Sequence, residues 1–251
     1  MNLQFISDGP ALIVENRTRV LVVADLHFGI ESDLADHGWH FSSRSAERVK
    51  KVCACIETTN PDLLLLLGDV KHSIPKTTQQ EFFEIPGILS AFRDLVPFMV
   101  IPGNHDIGIG RFLHDGELLP KAGAIIDGVA YLHGHTIPSP SLLGHLIIAG
   151  HHHPMVSLHD EVGCYLRAPA YLAAELDPAK LRCAEKKGMR RKTRVLFMPA
   201  FNEVAGFDIL RIIRHPFSPL SRSIRTDTAE VFLTEGTYVG PVSALEDDVA
   251  A

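Results

Sequence analysis

The sequence predicts an α/β fold: a mixed β-sheet, or two stacked sheets, with helices outside. Three observations point to it. Short apolar runs alternate with segments of helical period as far as Ile101, in a β-α-β-α-β pattern. Beyond Ala124 the apolar runs follow one another across turns, as hairpins do. The densest run, Leu63 to Leu67, is apolar at every position, which suits a parallel strand covered on both faces.

Leu3 to Ile6 and Ala11 to Val14 read as strands split by the turn residues Asp8-Gly9-Pro10, and Val20 to Ala24 follows the polar turn Asn16-Arg17. From Ser43 the period changes. Ala46, Val49, Val52, Cys53 and Ile56 recur at helical spacing, with Ser42 or Ser43 as N-cap and Asn60-Pro61 as the stop. Thr78-x-x-Glu81 is a capping box opening a helix through Phe82, Phe83, Ile85, Leu89, Phe92 and Leu95, which Pro86 should kink or interrupt. Phe98 to Ile101 is the next strand. Ala124 to Ile126 and Val129 to Leu132 flank Asp127-Gly128, the strongest hairpin signal in the chain. His145 to Ala149 is another apolar strand, and Gly163 to Arg167, Arg194 to Met198, Ile209 to Ile213 and Val231 to Leu233 read as further strands. No Pro/Ser-rich or charged linker divides the chain, so residues 1–251 are expected to form a single domain.

The 251 residues suffice for a large core, and 46% apolar with 22% charged residues are ordinary globular values. A net charge of -6 argues against wholesale coating of nucleic acid. No charged-then-apolar leader opens the sequence, and Leu63 to Leu67 is far too short to cross a bilayer; a soluble, cytoplasmic protein without membrane contact is expected. Cys53, Cys55, Cys164 and Cys183 match no metal-knuckle or redox spacing; Cys53 should face the core, with Cys55 more exposed. Lys180 to Arg194 carries eight Lys/Arg against the single Glu185. Such runs are commonly solvated loops; the other reading is a strip that tracks the phosphates of a nucleic acid, with affinity that falls steeply in salt.

Of 14 histidines, eight lie in or beside polar clusters at the ends of apolar runs. These are Asp25-Leu26-His27, Gly68-Asp69-Val70-Lys71-His72, Pro102-Gly103-Asn104-His105-Asp106, His133-Gly134-His135 and Gly150-His151-His152-His153-Pro154. Residues i and i+2 of a strand share a face, so Asp25 and His27 can serve one ion. Functional groups of sheets with helical crossovers collect beyond the carboxyl ends of the strands, which would bring Asp25, His27, Asp69, Asn104, His133, His151 and His153 together. Oxygen and imidazole donors without a thiolate suit manganese, iron or zinc. Seven donors exceed one tetrahedral site, whereas two divalent ions sharing a carboxylate would use them all.

Asp-x-His, Gly-Asp-x-x-His, Gly-Asn-His-Asp, a lone His and Gly-His-x-His, in this order over residues 25–153, resemble the motif set of calcineurin-like metallophosphoesterases. Gly68 to His72, the Gly-His-His-His-Pro run and Pro199-Ala200-Phe201-Asn202 are similar to the ICC-like branch, which is related to double-strand-break repair nucleases. The resemblance implies a four-layer αββα sandwich, two mixed sheets face to face with helices outside, in which residues 155–251 complete the second sheet. It implies that Asp25, His27, Asp69 and His153 hold one ion, manganese first and iron or zinc next. Asp69, Asn104, His133 and His151 would hold a second, with Asp69 bridging. The family places the ligand first in a pair such as His133 and His135, leaving His135, like His72, either to touch substrate or merely to end its loop.

Two cations about 3.5–4 Å apart would clamp the oxygens of a phosphoester and acidify a shared water, giving a hydroxide for in-line attack at phosphorus. His105, beside Asn104, is assigned to the leaving group as proton donor or hydrogen bond, with Asp106 orienting its ring. A phosphodiesterase or phosphatase is thus expected. Little chain remains after Pro154 for the additional DNA-binding and capping segments of the repair nucleases, which tilts the expectation toward a small or unstructured phosphodiester. A DNA or RNA nuclease is the alternative within this chemistry. A non-catalytic interaction module that keeps the fold is the alternative from another class, and the retention of all seven donors and His105 speaks against it. The His-x-His-x-Asp-His cluster of metallo-β-lactamase-type hydrolases is absent.

Overall fold

The computed structural model describes residues 1–7, 9–159, 165–181 and 192–247. β1 (Asn2–Ile6), β2 (Ala11–Glu15) and β3 (Arg19–Val23) form an antiparallel meander. After α1 (Ile30–Asp36) and α2 (Ser45–Thr59), β4 (Leu63–Leu66) adds parallel to β3; after α3 (Gln79–Arg93), β5 (Phe98–Val100) adds parallel to β4. The first sheet therefore reads β1-β2-β3-β4-β5, and its parallel half needs the helical crossovers.

The second sheet has nine strands among the described residues. It comprises β6 (Ala124–Ile126), β7 (Val129–Leu132), β8 (Leu146–Ala149), β9 (Pro154–His159), β10 (Tyr165–Leu176), β11 (Thr193–Phe197) and β12 (Phe207–Asp208) in the spatial order β12-β9-β10-β11-β8-β7-β6. After α4 (Ile209–Arg214), β13 (Glu230–Leu233) pairs with β10, and β14 (Tyr238–Pro241) pairs with β13; α5 (Val242–Asp247) follows. β7, β8 and β11 are mutually parallel neighbours.

The period of two assigns the layers. Leu21, Val23, Leu64 and Leu66 meet Val52 and Ile56 of α2 and Ile85 and Leu89 of α3. Their neighbours Val20, Val22, Leu63 and Leu65 point the other way, into a core shared with Tyr131, Ile148, Tyr171 and Leu196 of the second sheet. On the far side of that sheet, Ile147, Val195 and Phe197 pack with Ile209 and Ile212 of α4 and Val242 and Leu245 of α5. The result is the expected αββα sandwich of two mixed sheets, each fully buried Leu or Val contributing about 1.5–3 kcal/mol. At the β6–β7 hairpin Asp127 and Gly128 have φ of 47° and 85°, as a type I′ turn needs. The Asp127 carboxylate accepts the Arg17 and Thr18 amides, tying the β2–β3 turn to this hairpin.

Several local expectations need correction. The buried face of α2 is Ser45, Arg48, Val52, Cys55, Ile56 and Thr59, so Cys55 is buried and Cys53 half-buried, the reverse of the expected order. The cause is polar: Arg48, 1% exposed, donates to Glu31 at 2.8 Å and Glu203 at 3.3 Å, and Ser45 donates to Glu84 at 2.6 Å. The N-cap of α2 is Arg44, with no side-chain cap. Pro86 does not interrupt α3; it sits on the exposed face, where a carbonyl without its N–H partner can be hydrated. The capping box forms as expected, but Phe82 and Phe83 lie exposed.

Ile209 to Ile213 is not a strand but the body of α4. Asp208 caps it by accepting the Leu210 amide at 2.8 Å, and Ile209 and Ile212, three apart, share its buried side. Gly163, Cys164, Cys183 and residues 182–191 of the basic segment lie outside the described residues. Among the described helices none is long and apolar enough to cross a membrane.

Candidate metal centre

The polar clusters follow the carboxyl ends of β3, β4, β5, β7 and β8, and the two sheets bring them together. Asp25 and His27 do converge, but not by the strand periodicity that predicts it. β3 ends at Val23, and both residues are left-handed, with φ of 57° and 47°. Asp69, His151 and His153 share this conformation at 47°, 69° and 42°, so five of the seven described non-glycine residues with positive φ are expected metal donors. Asp and His tolerate this region better than most residues, yet each instance costs on the order of 1–3 kcal/mol and must be imposed by its surroundings.

The surroundings are backbone hydrogen bonds. Asp25 N donates to Gly68 O at 3.1 Å and His27 N to Asp69 O at 2.8 Å, joining the ends of β3 and β4. From the second sheet, Phe201 N donates to Ala24 O and Asn202 N to Asp25 O, while the buried Asn202 amide donates to Leu26 O at 3.1 Å. Pro199 to Asn202 thus clasps the Asp25–His27 turn. The sequence marks this segment only as a branch resemblance and gives no sign of its structural task.

Asp69 lies at the centre. Its Oδ1 accepts the His105 amide at 2.8 Å, and its Oδ2 stands 3.3 Å from His133 Nε2 and 3.8 Å from His27 Nε2. Asp25 accepts the His151 amide and lies 2.9 Å from His153 Nε2. Three sets of side chains are close enough to hold a metal ion: Asp25, His27, Asp69 and His153; Asp69, His133 and His151; and His27, His72 and His105. The first two share Asp69. Asn104 lines the same groove as Asp69, His27, His151 and His153. Glycines make the approach possible. A Cβ on Gly103 would overlap the Asp69 carboxylate, and one on Gly68 would overlap the His133 ring.

Cations fit this site on three grounds. His133 Nε2, His153 Nε2 and Asn104 Oδ1 are buried without a hydrogen-bond partner, which is costly unless something else engages them. Asp25 and Asp69 are 0% and 1% exposed, and among the described residues no Lys or Arg is paired with either. The field also favours positive charge: burial alone would lower the pKa of His133, but Asp69 and Asp25 raise it to about 9. His133 Nδ1 donates to Leu67 O at 3.0 Å, which aims Nε2 at Asp69.

Around this centre, His105 contacts the carbonyl of His72 through Nδ1 and stacks on the His72 ring, their centroids 5.2 Å apart. Asp106 does not orient His105. Its buried carboxylate accepts the Gly103 amide at 2.8 Å and the Lys71 amide at 3.1 Å, bracing the two donor loops against each other. The backbone carbonyl of His72 takes the orienting position instead. His72 lines the groove and reaches His27, Nδ1 to Nδ1, at 3.2 Å. His135 sits beside His133 and His151 but off the groove lining. His152 points away, held by Gly150 O and Ser218 Oγ. Burial and the neighbouring His133 push His151 down to about 2, so it offers a neutral nitrogen.

The groove has a volume of about 530 Å³. Besides the donors its lining has a polar part, with His72 and His105, and an apolar part, with Val204, Ala205, Gly206, Phe207 and Phe217. This apolar part has no precursor in the sequence, because apolar residues between strands carry no motif.

A calcineurin-like phosphoesterase family profile matches residues 18–169. No curated protein gives a significant match. Among solved structures the chain is similar to the Pseudomonas putida nuclease MPE, with 19% identity, TM-score 0.56, and coverage of 93% of this chain and 98% of that one. It also matches YfcE, a phosphoesterase from E. coli, with 15% identity, TM-score 0.37, and coverage of 56% of this chain and 73% of that one. With more than half of its length matched to that profile and its donors gathered between two sheets, the chain belongs to the calcineurin-like phosphoesterase family.

Proposed function

We propose that the protein is a phosphodiesterase that hydrolyses a P–O bond with two divalent ions, manganese first and iron or zinc next, residues 1–251 acting as one domain. Asp25, His27, Asp69 and His153 would hold one ion; Asp69, Asn104, His133 and His151 the other. The observation that carries this is the position of Asp69, whose Oδ2 is shared by both donor sets while Oδ1 is fixed by the His105 amide. Bound there, the ions would supply Lewis acidity to the phosphoryl oxygens and an acidified water.

The protein's own residues do the rest. With Nδ1–H on the His72 carbonyl, the His105 ring is fixed, and its Nε2, 4.0 Å from Asp69 Oδ2, would donate to the departing oxygen when the ring is the imidazolium. His72 extends the polar lining toward the substrate. Asp106 acts at one remove, by holding the Lys71 and Gly103 amides.

A second reading, a nuclease, is supported by the likeness to nuclease MPE along 93% of this chain and 98% of that one. Contact with nucleic acid through Lys180 to Arg194 belongs to this reading, and a flat salt dependence of binding would remove it. Manganese-loaded protein assayed side by side on bis-p-nitrophenyl phosphate, p-nitrophenyl phosphate and single-stranded DNA tests the proposal. Cleavage of the diester ahead of the monoester, abolished by chelator, is expected. No turnover of any of the three despite two bound ions would replace the enzyme by an interaction module.

A further inference from the structure

We propose that Phe217, Phe207 and Val204 form a subsite for a planar aromatic group, of the nucleobase class, attached through its ester to the phosphate at the donor cluster. The inference rests on the phosphodiesterase reading and adds to it what flanks the phosphorus atom.

Position comes first. The Phe217 ring centroid is 5.5 Å from that of His151, and the Phe207 centroid is 6.0 Å from that of His153, so both phenyl rings begin where the expected metal donors end. A group held against them is separated from the centre by little more than a sugar or a short ester arm. The two rings are 5.5 Å apart and inclined at 48°, forming a corner rather than a flat patch. Phe217 is 41% exposed and Val204 55% exposed, so the corner opens to the groove.

Chemistry narrows the occupant. Every polar side chain that lines the groove belongs to the donor cluster or is His72 or His105. Among the described residues the rest of the lining is Ile30, Val204, Ala205, Phe207, Phe217 and the backbone of Gly206. A glycerol-like or hydroxyl-rich substituent placed there would exchange water for carbon and lose hydrogen bonds. A nucleobase loses little, because its faces are apolar and it stacks on phenyl rings regardless of base identity. A neighbouring pocket that shares His72 and His105 with the groove is lined by Asp33 and Asp36 with Lys76 as the cation, a poor setting for a second phosphate.

The corner is also built to stay in place. Phe207 N donates to His153 O at 2.9 Å, which joins the ring's backbone to a donor residue. Phe217 N donates to Ser221 Oγ at 3.1 Å, and its ring rests against His152, itself locked by Ser218. The guanidinium of Arg211 lies over the Phe207 ring at 5.6 Å. Pre-set rings lower the ordering cost of stacking a ligand on them.

Two substrates with one leaving group test the inference: the p-nitrophenyl ester of thymidine 5′-monophosphate, and methyl p-nitrophenyl phosphate. Wild-type protein should prefer the nucleotide ester by about tenfold or more in kcat/KM, and Phe217→Ala should lower that preference about tenfold. Phe217→Tyr, which keeps a ring, should retain it. Phe217→Leu, which keeps apolar bulk without a ring, should behave like Phe217→Ala, with metal content verifying that the centre is intact. An unchanged preference in Phe217→Ala, or none in wild type, overturns the subsite. Calorimetry with thymidine 5′-monophosphate against inorganic phosphate on manganese-loaded protein needs no turnover. Equal affinities in an active enzyme would remove the subsite and leave the phosphodiesterase; a Phe217-dependent nucleotide preference in an inactive protein would do the opposite.

Discussion

Asp69 divides its carboxylate between a backbone amide and a ring of imidazoles, and this sets its rank among the donors. Replacing it should disturb both ion sites; replacing Asp25 should disturb one. Metal analysis of Asp69→Ala and Asp25→Ala should therefore return losses of two ions and one, and turnover of Asp69→Ala should fall about 10³-fold. Equal metal retention would contradict the shared role. On the proposed assignment of His105 to the leaving group, His105→Ala should keep its metals and lose about 10²–10⁴-fold in kcat. Gly103→Ala needs no change of charge to do damage: its methyl meets the Asp69 carboxylate, and metal content is expected to fall with the fold retained by circular dichroism. The donors are legible in the sequence because each stands in a short polar motif after an apolar run. The task of Asp106 is not, because its partners are backbone amides of Gly103 and Lys71, which no pattern of side chains announces. Phe217 is equally silent until the chain folds.

At the scale of elements, the sequence defines strands more sharply than the phase of helices. Leu63 to Leu67 has one interpretation, since every position is buried whichever way it faces. α2 has two, and the polar residue Arg48 decides between them by entering the interior with Glu31 and Glu203. Removing one partner of a buried ion pair leaves the other uncompensated, so Arg48→Ala should lower unfolding stability in urea by about 3–5 kcal/mol. Arg44→Ala, whose half-exposed side chain also reaches Glu203, should cost less. A smaller loss for Arg48 than for Arg44 would refute this account of the helix phase. α4 departs from its sequence pattern for a related reason: Ile209 to Ile213 is dense in Ile, as strands are, and the Asp208 cap that overrides the pattern is a single residue.

At the scale of the molecule, the αββα order follows from alternation along β3 and β4, which feeds one core between the sheets and another beneath α2 and α3. The site is where this architecture collects its costs: left-handed residues, unpartnered nitrogens and buried carboxylates. Ions bound only by the folded state stabilise it by about 2.7 kcal/mol at 100-fold excess over Kd. Stripping the protein with chelator should therefore lower Tm by roughly 5–10 °C, reversibly on adding manganese, as read by a thermal melt. No change in Tm would mean that the cluster tolerates its charges unaided.

The donors also have an order in time. Asp25, His27, Asp69 and Asn104 follow strands of the first sheet, whereas His133, His151 and His153 follow strands of the second. During synthesis the ribosome releases the acidic half well before the three later histidines. On the proposed assignment one ion lacks its full set of donors until His151, and the other until His153, has left the exit tunnel and the sheets have docked. On that assignment metal selection would be a late event, acting on docked sheets rather than on the growing chain.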